Sequence, residues 1–265
     1  MKPIVIITGG SSGIGKELAL AYAKHQYQVF TLSRRAHKWN LPNIKHFVCD
    51  VTKSEDLAPV AEKLKDISCS HVILICCAGY GIAGATENTA LSEAKAQFDV
   101  NFFGVFLTIQ HFLPLLKGHK NSKVLFISSV ASEISLPFQS FYSASKAAAN
   151  KLLEAWQLEL LPYGIQFSSF LLGDIQSDFT QNRQRIKELS KEYEKRVYRS
   201  ISKMENDEKN GMQPNVIANV IFRRSQKRKM PPIQTIGGQY HFFLLLQRLL
   251  PRKFVLFLVG ILYAK

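Results

Sequence analysis

Tyr142-Ser143-Ala144-Ser145-Lys146 places a phenol and an ammonium four residues apart. On a helix, that spacing puts both groups on one face. A free tyrosine titrates near ~10. An ammonium a few ångströms away stabilises the phenolate and lowers that value. The pair is therefore expected to exchange a proton with a carbonyl or an alcohol near neutral pH. Ser129 closes an apolar run thirteen residues before Tyr142, where its hydroxyl can donate to a developing oxyanion. Ser128 should point the other way if strand alternation persists. Asn101 falls inside a helical stretch, where a buried amide is costly without partners. Its side chain, or a helix distortion beside it, is expected to hold a water that links Lys146 to solvent.

A second cluster suits an anion. Thr8-Gly9-Gly10-Ser11-Ser12-Gly13-Ile14-Gly15 lies between a β-branched run and a helical run. Glycine allows positive φ and lets a pyrophosphate approach the backbone. The helix N-terminus that follows offers unpaired N–H groups and the positive end of its dipole. Gly9, Ser11, Ser12, Gly13, Ile14 and Gly15 are therefore expected to cradle the phosphates of a dinucleotide. The end of the next strand reads Ser33-Arg34-Arg35, with no acid to hold a ribose 2′-hydroxyl. A guanidinium can pair bidentately with a 2′-phosphate, so NADP(H) is the expected cofactor.

These groups need a scaffold that brings them together. Residues 4–7, 28–32, 45–49, 71–76, 124–128 and 166–171 read as strands, with another at 234–236. Helical patterns at 16–24, 54–65, 92–116, 142–161 and 214–224 separate them. Strands apolar on both faces that alternate with helices predict a doubly wound parallel α/β sheet of about seven strands. In such a sheet, ligands bind beyond the C-terminal strand ends. One domain is expected over 1–238, followed by a helical tail over 239–265.

Composition narrows the class. Of 265 residues, 46% are hydrophobic and 20% charged, which excludes a disordered or collagen-like chain. Cys49, Cys69, Cys76 and Cys77 form no CxxC pair, so neither a disulfide scaffold nor a metal site is expected. A reducing, cytoplasmic compartment fits that usage. The net charge is +14, yet residues 209–265 hold ten basic groups and no acid. No targeting signal is recognised at residues 1–7, and no apolar stretch reaches the ~20 residues of a spanning helix.

In combination, these motifs resemble the short-chain dehydrogenase/reductase family over residues 2–175. The likeness is carried in order by residues 8–15, Asp50-Val51, Ala78-Gly79, Asn101, Ser129, Tyr142 and Lys146. It implies a Rossmann-type fold and a catalytic tetrad of Asn101, Ser129, Tyr142 and Lys146. Tyr142 would be the acid/base, Ser129 the polarising donor and Asn101 the holder of a relay water. Lys146 would also bind the nicotinamide ribose. Asp50 and Val51 would contact adenine, Ala78 and Gly79 would line the cofactor, and Gly173, Ile175 and Ser177 would flank the nicotinamide. A homo-oligomer paired through long helices is also implied. Two positions depart from the family pattern. Cys76-Cys77 replaces a pair of asparagines, and Leu172 replaces a proline before Gly173.

Residues 176–212 occupy the family's variable substrate region. The stretch 179–209 reads as a helix with a stripe of Ile186, Leu189, Tyr193, Val197, Ile201 and Met204. It is expected to be a lid over the reacting end, or else a solvated excursion covering the sheet edge. Leu136, Phe138, Phe141 and Phe179 suggest apolar pocket walls for a small hydrophobic carbonyl substrate. In the tail, apolar runs at 240–250 and 254–264 flank Pro251-Arg252-Lys253. They suit peripheral contact with a membrane, or docking onto the domain or a second subunit. Basic groups interleaved with aliphatic runs do not suit nucleic acid. The expected activity is NADPH-dependent carbonyl reduction, or the reverse oxidation, on a hydrophobic, lipid-like substrate. A non-catalytic dinucleotide-binding scaffold or redox sensor is the alternative.

Overall fold

Ile4 and Ile6 enter one apolar core and Val5 and Ile7 enter another, the alternation expected of a strand buried on both faces. That strand is β1 (Ile4–Thr8) of a computed structural model that describes residues 1–186 and 188–264. Helix α1 (Gly13–Lys24) leads to β2 (Gln28–Ser33) and β3 (Ile44–Val48). Helix α2 (Ser54–Leu64) then crosses to β4 (Val72–Cys76). After a two-residue strand, β5 (Ile82–Ala83), come α3 (Leu91–Phe98) and α4 (Gly104–Lys117), joined by a π-helical turn over Asp99–Phe103. The next pair are β6 (Lys123–Ser129) and α5 (Ser140–Glu159), followed by β7 (Gln166–Leu172). The sheet closes with α8 (Pro214–Ser225) and β9 (Ile233–Ile236).

Seven parallel strands run in the order β3-β2-β1-β4-β6-β7-β9. The order reverses between β1 and β4, which opens a crevice at their C-terminal ends. Leu18, Tyr22, Ile217 and Ile221 of α1 and α8 fill one face of the sheet. Leu57, Ile109, Phe112, Ala149 and Leu153 of α2, α4 and α5 fill the other. By length and apolar content, the helical run Leu91–Lys117 could cross a bilayer. Here Val105, Ile109, Phe112 and Leu116 pack it into the sheet core.

The lid departs from the expected continuous helix. It starts with a short helix, α6 (Phe179–Asn182), then extends as β8 (Gln184–Arg185) before α7 (Lys191–Lys209). The extension has a local cause, because β8 pairs with β5. Gln184 and Ile186 N–H groups donate to the Gly81 and Ala83 carbonyls at 3.0 Å each. Ile186, read from the sequence as part of a helical stripe, instead packs on Gly84, where a Cβ would lie 2.3 Å from its side chain. Val197 and Ile201 of α7 do carry the stripe, burying against Ala83, Ala85 and Phe138.

The tail forms α9 (Gly238–Leu249) and α10 (Arg252–Tyr263). Its inner edge docks on the domain. The Tyr240 hydroxyl donates to Asp174 Oδ2 at 2.7 Å and accepts from the Asp174 N–H at 2.8 Å. Gln247 Nε2 donates to the Glu133 carbonyl at 2.7 Å, and the Tyr263 hydroxyl donates to Asp207 Oδ2 at 3.1 Å. Its outer face leaves Phe242, Leu245, Leu249, Phe254, Leu256 and Leu262 exposed. The tail is thus docked along one edge and apolar and exposed on the other face.

Gly173 lets α9 seat against β7, since a Cβ there would lie 1.9 Å from the Tyr240 ring. Gly173→Ala is expected to destabilise by about 1–3 kcal/mol through overpacking. Urea unfolding of Gly173→Ala, Tyr240→Ala and the double variant checks this. If the contact is the cause, the double variant loses less than the two single variants combined.

Candidate active site

A cavity of about 1040 Å³ opens at the C-terminal ends of β1, β4, β6 and β7. Its floor is the glycine turn. Gly9 and Gly13 have φ of +69° and +51°, backbone that side-chain-bearing residues rarely adopt. A Cβ at Gly9 would sit 2.9 Å from the Ala78 backbone, so the turn packs directly on the strand beside it. Thr8 Oγ1 accepts from the Cys77 and Ala78 N–H groups at 3.1 and 3.2 Å. No side chain caps the first turn of α1, so its N–H groups face the cavity without a side-chain acceptor. This cradle suits a pyrophosphate.

Ser33, Arg34 and Arg35 line the far wall with Asp50 and Val51. Arg35 Nη2 donates to Ser12 Oγ at 3.1 Å, placing a guanidinium across the mouth of the phosphate turn. Ser33 Oγ donates to the Arg35 carbonyl at 2.9 Å. Asp50 Oδ1 accepts from the Thr52 N–H and hydroxyl, which orients the carboxylate. Ser11, Ile14, Gly15, Ala78, Gly79, Gly173, Ile175 and Ser177 also border the cavity. The glycine floor fits a dinucleotide, and the far wall beside it is basic.

The reacting end is built by β6 and α5. Lys146 Nζ, on a buried side chain, donates to the Ile127 carbonyl of β6 at 2.8 Å. One turn earlier, the buried Tyr142 side chain borders the same cavity as Ser129 of that strand. Ser129 Oγ accepts from the Ala131 N–H at 3.1 Å. Burial pushes the Tyr142 phenol up to about 12, with the nearby Ser129 hydroxyl opposing that rise. Burial pulls the Lys146 ammonium down to about 8, with the Cys77 and Cys76 thiols opposing. Burial is the largest influence on the phenol, so its affinity for a proton is raised here, where a cationic neighbour alone would lower it. The phenol holds its proton at neutral pH.

Asn101 does not border the cavity. Fully buried behind Gly79, its Nδ2 donates to the Tyr80 carbonyl at 3.0 Å and to Ser145 Oγ at 3.1 Å. Its Oδ1 accepts from the Tyr80 N–H at 3.1 Å. The amide is thus occupied in clamping the chain after β4 onto α5. The helix distortion expected beside it is real: the Gly104 N–H reaches back five residues to the Asp99 carbonyl.

Two lining residues carry no local signal in the sequence: Glu208 arrives from α7 and Tyr263 from the last turn of α10. Met204, part of the expected apolar stripe, also borders the cavity. Glu208 forms a buried ion pair with Arg183 and accepts from the Thr180 hydroxyl. Its charge raises the Tyr142 phenol while Arg183 lowers it. Of the apolar wall candidates, Leu136 and Phe179 border the cavity, whereas Phe138 lies in the core beneath the lid.

Fold and site together define a nucleotide-binding α/β oxidoreductase. The chain belongs to the short chain dehydrogenase family, whose profile matches residues 3–188. It is 34% identical over 242 residues to the 3-ketodihydrosphingosine reductase of Bacteroides thetaiotaomicron, covering 90% of this chain and 89% of that protein. A short-chain dehydrogenase of Streptomyces avermitilis shares the fold with a TM-score of 0.82 at 24% identity, over 94% of this chain and 93% of that one. A short chain dehydrogenase of Burkholderia cenocepacia in complex with NADP superposes with a TM-score of 0.72 at 21% identity. That superposition covers 95% of this chain and 94% of the other.

The lysine gives a pH test. With its folded pKa near 8 and an ordinary value of 10.5, Lys146 sheds its proton earlier in the folded protein. Between those values the unfolded chain binds more protons, so this group's contribution to stability rises with pH. For ketone reduction assisted by the ammonium, kcat/KM should hold below pH 8 and fall above it. Lys146→Arg, if it retains measurable turnover, should move that fall above pH 10, since a guanidinium keeps its charge. A pH profile of both proteins decides; an unmoved fall assigns it to another group.

Proposed function

We propose that this protein is an NADP(H)-dependent oxidoreductase that reduces a carbonyl on a hydrophobic, lipid-like substrate. The reading is carried by the buried Tyr142 phenol, which shares with Ser129 a cavity whose far wall is Arg34 and Arg35. NADPH, when bound, would supply the hydride. Ser129 then donates to the substrate carbonyl oxygen and polarises it. Tyr142 delivers its proton to that oxygen as charge develops. The Lys146 ammonium stabilises the phenolate left behind and holds the ribose. The π-helical turn at Asp99–Phe103 positions the relay that restores the proton through Lys146. Asn101 braces this arrangement through Tyr80 and Ser145.

Arg34 and Arg35 pair with the 2′-phosphate, the feature that separates NADP from NAD. The NADP complex of the Burkholderia cenocepacia relative is consistent with this choice. Leu136, Phe179, Met204 and Tyr263 surround the reacting end with apolar surface. A relative named as a 3-ketodihydrosphingosine reductase points to a long-chain ketone. The exposed face of α9 and α10, with Arg248, Arg252 and Lys253 among its apolar groups, fits peripheral contact with an anionic bilayer. The outer faces of the π-helical turn and of α5, where Phe103 and Leu158 are exposed, fit pairing with a second copy.

Oxidation of NADPH across ketones from short chains to 3-keto lipids, with NADH in parallel, tests the activity. NADPH should be preferred, and Arg34→Ala/Arg35→Ala should raise its KM at least tenfold while barely changing that of NADH. A clear NADH preference in the unmodified protein would refute the arginine assignment. Tyr142→Phe should keep NADPH binding and lose about 10²–10⁴ in turnover. Equal turnover would instead leave a nucleotide-binding scaffold. For the tail, co-sedimentation with anionic vesicles should succeed at low salt and weaken at high salt. No sedimentation with the tail intact removes the membrane contact.

A further inference from the structure

A second cavity, of about 400 Å³, lies between α10 and the segment that leads into α5. We propose that it receives the hydrocarbon chain of the substrate, a claim that rests on the carbonyl-reductase reading above.

Position is the first argument. Leu136 borders both this groove and the catalytic cavity. The first turns of α5 serve both spaces: Tyr142 and Lys146 line the cleft, while Ser143, Ala144 and Ala147 line the groove. Helix α10 does likewise, with Tyr263 at the cleft and Leu256, Val259 and Gly260 at the groove. The two spaces are thus neighbours with Leu136 between them, and a chain attached to a carbonyl beside Tyr142 would reach the groove by passing that side chain.

Chemistry is the second argument. Among the described residues, no charged side chain lines the groove. Its inner serines turn their hydroxyls to the protein. Ser132 Oγ donates to the Ser129 carbonyl at 2.7 Å, Ser140 bonds Thr86 at 2.8 Å, and Ser143 Oγ accepts from the Leu136 N–H at 3.3 Å. Ser135 adds an exposed hydroxyl, and the other lining side chains, Ala131, Leu136, Pro137, Ala144, Ala147, Leu256 and Val259, are apolar. The volume holds roughly a dozen methylene groups if each takes about the ~30 Å³ of a liquid water. Gly260 fronts open space at the groove wall, where a Cβ would meet nothing within 4 Å.

The test fills the groove from either wall of the full-length protein, with Gly260→Phe from α10 and Ala147→Leu from α5. Ketones with four to twelve carbons, kept below their aggregation limits, are reduced with NADPH. In the unmodified protein, kcat/KM should rise with length, by up to about fourfold for each methylene buried. Gly260→Phe should lower kcat/KM for the longest ketone at least tenfold and change that for the shortest by less than twofold. Ala147→Leu should flatten the series in the same sense. A length profile that Gly260→Phe leaves unchanged, in a protein with its short-ketone turnover intact, overturns the proposal. If no ketone is reduced, the carbonyl-reductase reading fails by itself, and binding then decides the groove. A fluorescent polyene alcohol of eighteen carbons should bind the unmodified protein and lose at least tenfold in affinity with Gly260→Phe. Equal binding by both overturns the groove assignment.

Discussion

The ammonium of Lys146, held against the Ile127 carbonyl at the end of β6, is the contact on which the site depends. It fixes the rotation of α5 about its axis relative to the sheet edge. Once that rotation is set, the helix pitch places Tyr142 one turn earlier, above Ser129 of the same strand. Residues 127 and 129 are two apart on β6 and residues 142 and 146 four apart on α5. The period of a strand and the period of a helix therefore meet at one point. Burying a cation here is costly, and the lowered affinity of Lys146 for its proton records that cost.

Around this contact, backbone groups do most of the bracing. Asn101 is consumed by the N–H and carbonyl of Tyr80, which locks the turn after β4 against α5. Thr8 accepts from the N–H groups of Cys77 and Ala78 and ties the same turn to the glycine loop. The two cysteines standing where the family carries asparagines thus leave the strand ends cross-linked by hydrogen bonds. Burial pushes the Cys76 thiol up to about 12 and the Cys77 thiol up to about 11, so both stay neutral beside the lysine.

The lid and tail complete the reacting end from remote parts of the chain. Helix α7 brings Met204 and Glu208, and α10 brings Tyr263. Tyr240 seats α9 on the loop after β7 through paired bonds to Asp174. The tail therefore shapes the site and, on its outer side, exposes apolar surface of the kind that marks an interaction face.

The parallel sheet, its helices, the phosphate turn and the Tyr142–Lys146 pair were legible in the sequence because each is set by short-range periodicity or by residues close in the chain. The sequence also indicated a helix distortion at Asn101, since a buried amide at mid-helix demands one or a full set of partners. It misread 179–209 as one helix, because the pairing of Gln184 and Ile186 with β5 is a contact between segments about a hundred residues apart. The sign of the Tyr142 shift was likewise beyond it. Spacing reveals an ammonium nearby, but only the folded packing sets how much water each group loses. For the same reason, the arrival of Glu208 and Tyr263 at the site and the groove beneath Gly260 belong to the tertiary structure. Local sequence determines which groups share a helix face or a strand end, whereas burial and the meeting of distant segments are properties of the whole fold.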